Sequence, residues 1–396
     1  MWIRKHGFAP RVLDALFPCN EQCDERRETT YSAKIYEART LDLMAKAYLQ
    51  RIATAVPEND IHSQFVYFAA NMLQDRRARS IFERLAARSD IHHRYSCLHV
   101  NRGRGGESTD AWRFYGSGTF PTTAERMKLF EQCAPVLARK ALDKLKVSAD
   151  ERGKIRHVLV TCCTGFYAPG LDFDIIDHLG LPDSTERTMI GFMGCYAAIN
   201  GLKLARHIVR SDPDAMALVV NLELCSLHFH ATQDLSEVIS FLLFSDGCSA
   251  ALIGGDRRGF ELESFAATRI ENTSDLITWR VGDLGFDMFL SGHVPSQIAK
   301  AMKDRKTAIT GDAPVDLWAI HPGGRAILDA VENGLELAPE ELLASRRVLS
   351  CFGNMSSATV MFVMEKLMDA ARSGQRGCAI SFGPGMTAET MHFNAV

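Results

Sequence analysis

Three segments, far apart along the chain, carry side chains that could together form a nucleophilic site. Cys195 lies in Gly191-Phe192-Met193-Gly194-Cys195, directly before a run, Tyr196 to Arg210, that reads as a buried helix. Its apolar residues Ala198, Leu202, Ala205 and Val209 recur close to the helical period. The two glycines permit a tight strand-to-helix turn. A thiol at such a helix start feels the positive end of the backbone dipole, which favours the thiolate. Cys195 is therefore a candidate acceptor for an acyl group. The competing reading is a packed, inert cysteine, since free Cys is among the most buried residue types.

The other two segments supply partners. Leu317-Trp318-Ala319-Ile320-His321-Pro322-Gly323-Gly324 reads as a short buried strand ending at a histidine. Pro322 biases His321 towards an extended backbone, and the glycines turn the chain. Val348-Leu349-Ser350-Cys351-Phe352-Gly353-Asn354-Met355-Ser356-Ser357 reads as a short apolar strand reaching a Gly-Asn loop, with a helix beginning near Met355. Alone, a strand-end His is more often a hydrogen-bonded core residue, and an Asn after Gly is usually a turn residue. Thiol, imidazole and carboxamide together suit a nucleophile with its proton partner and hydrogen-bond donors.

A rigid scaffold must bring these segments together. His157 to Cys163 and Ala215 to Leu224 are mostly apolar runs, as expected of strands covered on both faces. Ser249 to Gly254 reads as a strand after an Asp246-Gly247 turn, and helices are predicted at Thr123 to Leu145 and Ala358 to Ala371. The alternation indicates an α/β fold. The chain has 396 residues, enough for two domain-sized cores, and is 46% hydrophobic and 23% charged, as in ordinary globular proteins. A net charge of −3 gives no global argument for nucleic-acid binding. No apolar stretch is long enough for a membrane span, and Met1 to His6 lacks the apolar run of a secretory signal. Eleven irregularly spaced cysteines fit reduced thiols in a cytoplasm. Cys162 and Cys163 would point to opposite faces of a strand.

The order Gly-Cys, His321-Pro322-Gly323-Gly324, Gly353-Asn354-Met355-Ser356-Ser357 and Phe382-Gly383-Pro384-Gly385 resembles the type III polyketide synthases, the chalcone-synthase-like branch of the thiolase superfamily. Phe244-Ser245-Asp246-Gly247 is similar to that family's Phe-Gly-Asp-Gly, and Ala47 to Pro57 resembles its opening strand. The resemblance runs from about Ala47 to the C-terminus. It implies a thiolase-like five-layer αβαβα fold of two similar halves, residues 46–255 with the nucleophile and 256–396 with His and Asn, behind an N-terminal extension, 1–45, in which Asn20 to Thr30 reads as a polar connector.

The resemblance also implies roles. Cys195 would carry an acyl-CoA starter, while His321 and Asn354 donate hydrogen bonds to the enolate formed when malonyl-CoA loses carbon dioxide. Protonated His321 would pair with the thiolate. Phe244 matches the aromatic gatekeeper between coenzyme A tunnel and elongation cavity, and Met288 falls at the second, usually Phe. Cys163, Thr164, Cys225, Leu227, His228, Ser240, Ser356 and Pro384 match cavity-lining positions. Cys163, Cys225, His228 and Ala168 depart from the plant chalcone-forming pattern. Arg76, Arg77 and Arg79 fall where the family holds coenzyme A phosphates, although Asp75 and Glu83 among them also suit a solvated helix face. Neither metal nor redox cofactor is implied, and a cytoplasmic homodimer is. Arg102-Gly103-Arg104-Gly105-Gly106 follows no strand and is no dinucleotide fingerprint. His228-Phe229-His230 would offer two imidazoles on one strand face without a third metal ligand, and His92-His93 reads as a surface turn.

Two enzymatic outcomes compete: iterative condensation ending in cyclisation to a pyrone, resorcinol or related phenol, and the single condensation of a 3-ketoacyl-acyl-carrier-protein synthase III, which shares Cys, His and Asn. The Gly-Asn-Met-Ser-Ser and Phe-Gly-Pro-Gly strings favour the first. A catalytically inert scaffold is the third reading, and the complete triad argues against it.

Overall fold

The computed structural model describes residues 45–99, 110–115, 120–311 and 313–396. The expected N-terminal extension up to residue 44 and the glycine-rich stretch Arg102 to Gly106 lie outside the described residues. The strands, in chain order, are β1 (Tyr48–Ala55), β2 (Asn59–Asp60), β3 (Tyr95–Ser96), β4 (Ile155–Cys162), β5 (Glu186–Gly191), β6 (Met216–Leu224), β7 (Asp246–Gly254), β8 (Phe260–Arg269), β9 (Ile277–Gly282), β10 (Gly285–Leu290), β11 (Leu317–Ile320), β12 (Arg376–Gly383) and β13 (Thr387–Ala395).

Nine of them form one mixed sheet in the order β11-β12-β13-β8-β1-β7-β6-β4-β5. The order β1-β7-β6-β4, paired antiparallel, antiparallel and parallel, recurs as β8-β13-β12-β11 with the same directions. The repeats meet where β1 and β8 pair over only Tyr48–Glu261 and Leu49–Phe260.

Side-chain alternation then builds layers. Val158, Val160 and Cys162 of β4, with Leu218, Val220 and Leu222 of β6, pack on the helices Thr123–Leu145 and Leu171–Leu179. Leu159, Ala217 and Val219 face the opposite way, onto the helices Ala197–Ser211 and Thr359–Ala370. The same two helices also cover Ala379 of β12 and Met391 and Phe393 of β13. Ile320, Cys378 and Ile380 pack outward on the helices Val294–Asp304 and Arg325–Leu335. Helices, half-sheet, helices, half-sheet, helices is the five-layer arrangement of the thiolase-like fold. The outer helix Thr123–Leu145 is set by a capping box, Thr122 with Glu125.

Two local expectations differ. Val348 to Ser350 belongs to a helix, Leu343–Phe352, and not to a strand. Val348 and Leu349 stack with Ser345 on one buried face, and so short an apolar run fits either period. Asp246-Gly247 is no turn but the start of β7. Asp246 is tolerated there because its carboxylate accepts from the Cys97 and Ser226 backbone N–H groups, both at 2.8 Å, and from Ser226 Oγ at 2.7 Å.

Candidate active site

Cys195 sits where β5 gives way to the helix Ala197–Ser211, on a single 3-10 turn, Gly194–Tyr196. Phe192 and Gly194 have φ of 55° and 77°, so the elbow is sharp. A Cβ on Gly194 would collide with Pro384 Cδ, and one on Gly383 would press on the Tyr196 ring and the Cys195 nitrogen. The Phe382-to-Gly385 segment thus packs directly on the nucleophile turn.

His321 directly follows β11. Its N–H donates to Ile380 O at 2.8 Å, continuing the β11–β12 ladder, and its carbonyl accepts from Gly323 N–H at 2.9 Å. Asn354 follows Gly353, whose φ of 69° ends the preceding helix. The Asn354 backbone N–H donates to Leu243 O at 2.9 Å, and its carbonyl accepts from Ser245 N–H at 2.9 Å. Its Oδ1 accepts from Ser356 N–H at 2.9 Å and Thr359 Oγ1 at 3.3 Å, while Nδ2 donates to Gly323 O at 3.2 Å. These partners fix the amide orientation and leave one Nδ2–H for a ligand.

Cys195, His321 and Asn354 line one cavity. Phe244, Met288, Cys163 and Thr164 line it too, as do Cys225, His228, Ser240, Ser356 and Pro384. Leu227 does not: it is fully buried in the outer core, facing away. Arg76, Arg77 and Arg79 lie in the first turn of the helix Arg76–Ala87, outside the cavity lining, and Arg79 Nη2 donates to Leu73 O at 3.1 Å. His228 uses both ring nitrogens within the protein: Nε2 lies 2.6 Å from Thr164 O, and Nδ1 accepts from Phe286 N–H at 3.0 Å.

Burial opposes charge on each reactive group taken alone. It pushes the Cys195 thiol up to about 12; Ser356, whose Oγ lies 3.7 Å from the sulfur, and Asn354 offset this in part, and the nearby Glu223 carboxylate adds to it. It pulls the His321 imidazole down to about 3, and neither ring nitrogen has a hydrogen-bond partner among the described residues. The helix start therefore does not by itself make a thiolate. A thiolate–imidazolium pair is stable in this pocket only as a unit, each charge offsetting the other's desolvation.

Glu223 was not among the residues singled out from the sequence. It is fully buried in β6 and accepts from Cys163 N–H at 3.0 Å, Thr164 Oγ1 at 2.7 Å and Ser357 Oγ at 2.5 Å. It ties the two cavity-wall segments behind the sulfur. A lone carboxylate inside the apolar run of β6 is the signal that could have found it. Burial raises its pKa to about 7, above the ordinary value of 4.5. A raised acid destabilises the native state as pH climbs through that interval, by up to about 3 kcal/mol. Thermal unfolding at pH 5 and pH 8 should show parent stability falling across this range and the Glu223→Gln protein falling less; parallel profiles would reject the assignment.

The wall was also only partly foreseen. Trp279 on β9 and Met288 on β10 line the cavity from a two-stranded hairpin that pairs with no strand of the large sheet. Trp279 Nε1 donates to Cys163 O at 2.7 Å, and Phe286 stacks on His228 with centroids 4.2 Å apart. Ile298 and Ile327 close the far side.

The family models for chalcone and stilbene synthases match residues 37–257 with the N-terminal domain and 261–396 with the C-terminal domain. The chain is 37% identical over 294 residues to the alpha-pyrone synthesis polyketide synthase-like Pks18 of Mycobacterium tuberculosis, covering 69% of this chain and 74% of that protein. It is similar in structure to PKS-I from the brown alga Ectocarpus siliculosus, with a TM-score of 0.78 and 30% identity over 89% of this chain and 99% of the other. The 1,3,6,8-tetrahydroxynaphthalene synthase of Streptomyces coelicolor, a bacterial type III polyketide synthase, matches with a TM-score of 0.77 and 27% identity over 88% and 99% of the two chains.

Proposed function

Because the chain belongs to the chalcone and stilbene synthase family of type III polyketide synthases, we propose that it extends an acyl-CoA starter iteratively with malonyl-CoA and closes the product to an α-pyrone, resorcinol or related ring. The Cys195 sulfur attacks the starter carbonyl and coenzyme A thiolate leaves. Malonyl-CoA then loses carbon dioxide. The electron pair released moves onto the thioester oxygen, where His321 and Asn354 donate to it. The enolate carbon attacks the acyl-sulfur carbonyl, the carbon–carbon bond forms, and the Cys195 thiolate departs. The lengthened chain, now on coenzyme A, reacylates Cys195 or cyclises. Coenzyme A thioesters are the substrates in this scheme, and no metal or redox group takes part.

One observation carries the reading: sulfur, imidazole and carboxamide from three distant segments line the same cavity. The pyrone outcome draws on the likeness to Pks18. We keep the boundary between halves at residues 255 and 256, in line with the repeated strand order. Arg76, Arg77 and Arg79 remain the candidates for the coenzyme A phosphates, since their helix packs through Phe82 and Ala86 on the helix Leu235–Leu243, which Phe244 directly follows. A homodimer is supported by the exposed Phe166, Phe173 and Met189 beside the outer edge of β5, which pairs with no further strand among the described residues. No helix among the described residues is long and apolar enough to cross a membrane, and a cytoplasmic location remains the proposal. Incubation with malonyl-CoA and a panel of starters should yield tri- and tetraketide pyrones or phenols by mass spectrometry. A single ketoacyl product would return the reading to one-step condensation.

A further inference from the structure

The Asn354 loop meets two other segments of the chain. His92 to Tyr95 runs beside the helix end that precedes Asn354. The His92 and His93 N–H groups donate to Ser350 O at 2.9 and 3.2 Å, and the Tyr95 ring centroid lies 6.1 Å from that of Phe352. The same stretch grips Phe241 to Ser245 on its other side. Arg94 Nη1 donates to the Phe241 and Phe244 carbonyls at 2.9 and 2.7 Å, which satisfies the C-terminal end of the helix Leu235–Leu243. The Ser245 hydroxyl accepts from Tyr95 N–H at 2.8 Å and donates to Tyr95 O at 3.1 Å. Arg94 and Ser245 are both buried. A Cβ on Gly353 would lie 2.9 Å from Arg94 Cγ, so the arginine stem packs directly on the residue before Asn354.

The geometry points to Ser245 as a positioning residue for Asn354, with Arg94 anchoring the other end of the same arm. This rests on the polyketide reading above, in which the Asn354 amide donates to the enolate, and adds what holds that amide in reach. Leu243 O and Ser245 N–H are the backbone partners of Asn354, so the loop stands where this arm stands. Ser356, Thr359 and Gly323 set how the amide is turned. The arm sets where it is. Glycine, which the family's Phe-Gly-Asp-Gly has at this position, offers no hydroxyl, so the tie to Tyr95 distinguishes this chain from that pattern. Without the hydroxyl, two Tyr95 backbone groups lose this partner and the arm is released from β3. A reacting or donating group displaced by about 1 Å loses much of its effect.

Two variants test this. Ser245→Ala removes the hydroxyl alone, and Ser245→Gly installs the family's residue. Each should lower kcat for malonyl-CoA decarboxylation about fivefold or more while KM stays within a factor of two. In Asn354→Ala protein the same substitutions should cost less than about twofold further, because the loss is relayed through an amide already removed. Amide exchange supplies a readout besides activity. Peptides covering Gly353 to Ser357 should exchange about threefold faster in the variants, with those of β4 and β6 unchanged. Parent rates in both variants, losses that multiply in the double variants, or faster exchange spread evenly over β4 and β6 would each overturn the proposal. So would a failure of both variants to fold, since the hydroxyl would then serve the fold at large. A parent that decarboxylates malonyl-CoA beside unaffected variants removes only the role of Ser245. A parent that does not decarboxylate it removes the polyketide reading as well.

Discussion

Cys195→Ala protein should remain folded yet show no mass increment after incubation with any acyl-CoA. Product formation should fall by at least about 10⁴-fold, the scale seen when a covalent nucleophile is removed. The side chain is small and buried, and its loss leaves only a minor void, so the melting temperature should shift by a few degrees at most. A product rate near that of the parent would mean that another thiol carries the chain. Cys163 and Cys225 line the same cavity, but burial holds both well above the ordinary thiol range, and the buried Glu223 carboxylate pushes them further the same way. Cys163 also has its sulfur occupied by the Gly194 N–H at 3.0 Å. The elbow position, with Ser356 and Asn354 beside the sulfur, is what singles out Cys195.

His321→Ala should cost about 10²–10³-fold in malonyl-CoA decarboxylation, the usual effect of losing one preorganised oxyanion donor. It should also change how Cys195 titrates. With the imidazole gone, burial leaves the thiol near 12, so iodoacetamide alkylation should keep climbing about tenfold per pH unit to the alkaline limit of the measurement. In the parent, the imidazolium can form together with the thiolate, and the curve should level off at lower pH. Superimposable profiles would show that the two groups do not act as a pair. Asn354→Ala should share the decarboxylation loss but move the alkylation profile only modestly towards higher pH, because the carboxamide offsets part of the thiol's burial without supplying a charge. That split separates oxyanion stabilisation from thiol activation.

The sequence made the scaffold legible where one physical signal dominated. Continuous apolar runs located β4 and β6, and the helix expected at Thr123 to Leu145 is found with those bounds. Readings failed where neighbours distant in the chain decide. Asp246 looks like a turn former until Cys97 and Ser226 are placed around it. Val348 and Leu349 fit either period, and their helix is settled by what packs against it. The family resemblance places Leu227 on the cavity wall with Cys225 and His228; the 3-10 turn they share sends it to the opposite side. Glu223 is held by Thr164 and Ser357, 59 and 134 residues away, and no local pattern shows that. The triad was readable because each member sits beside a glycine or proline that the backbone requires there.

The β9–β10 hairpin belongs to neither repeat, yet it supplies Trp279 and Met288 to the cavity. Its fastening to the catalytic half includes an indole on the Cys163 carbonyl and an imidazole bridging Thr164 and Phe286. Substrate choice is thereby partly uncoupled from foldability. Exchanging side chains on this ribbon reshapes the cavity that Cys195 lines without touching the ladders that position Cys195, His321 and Asn354. Descendants of such a protein have a low-risk route to new products, one confined to a dozen or so residues of a flap.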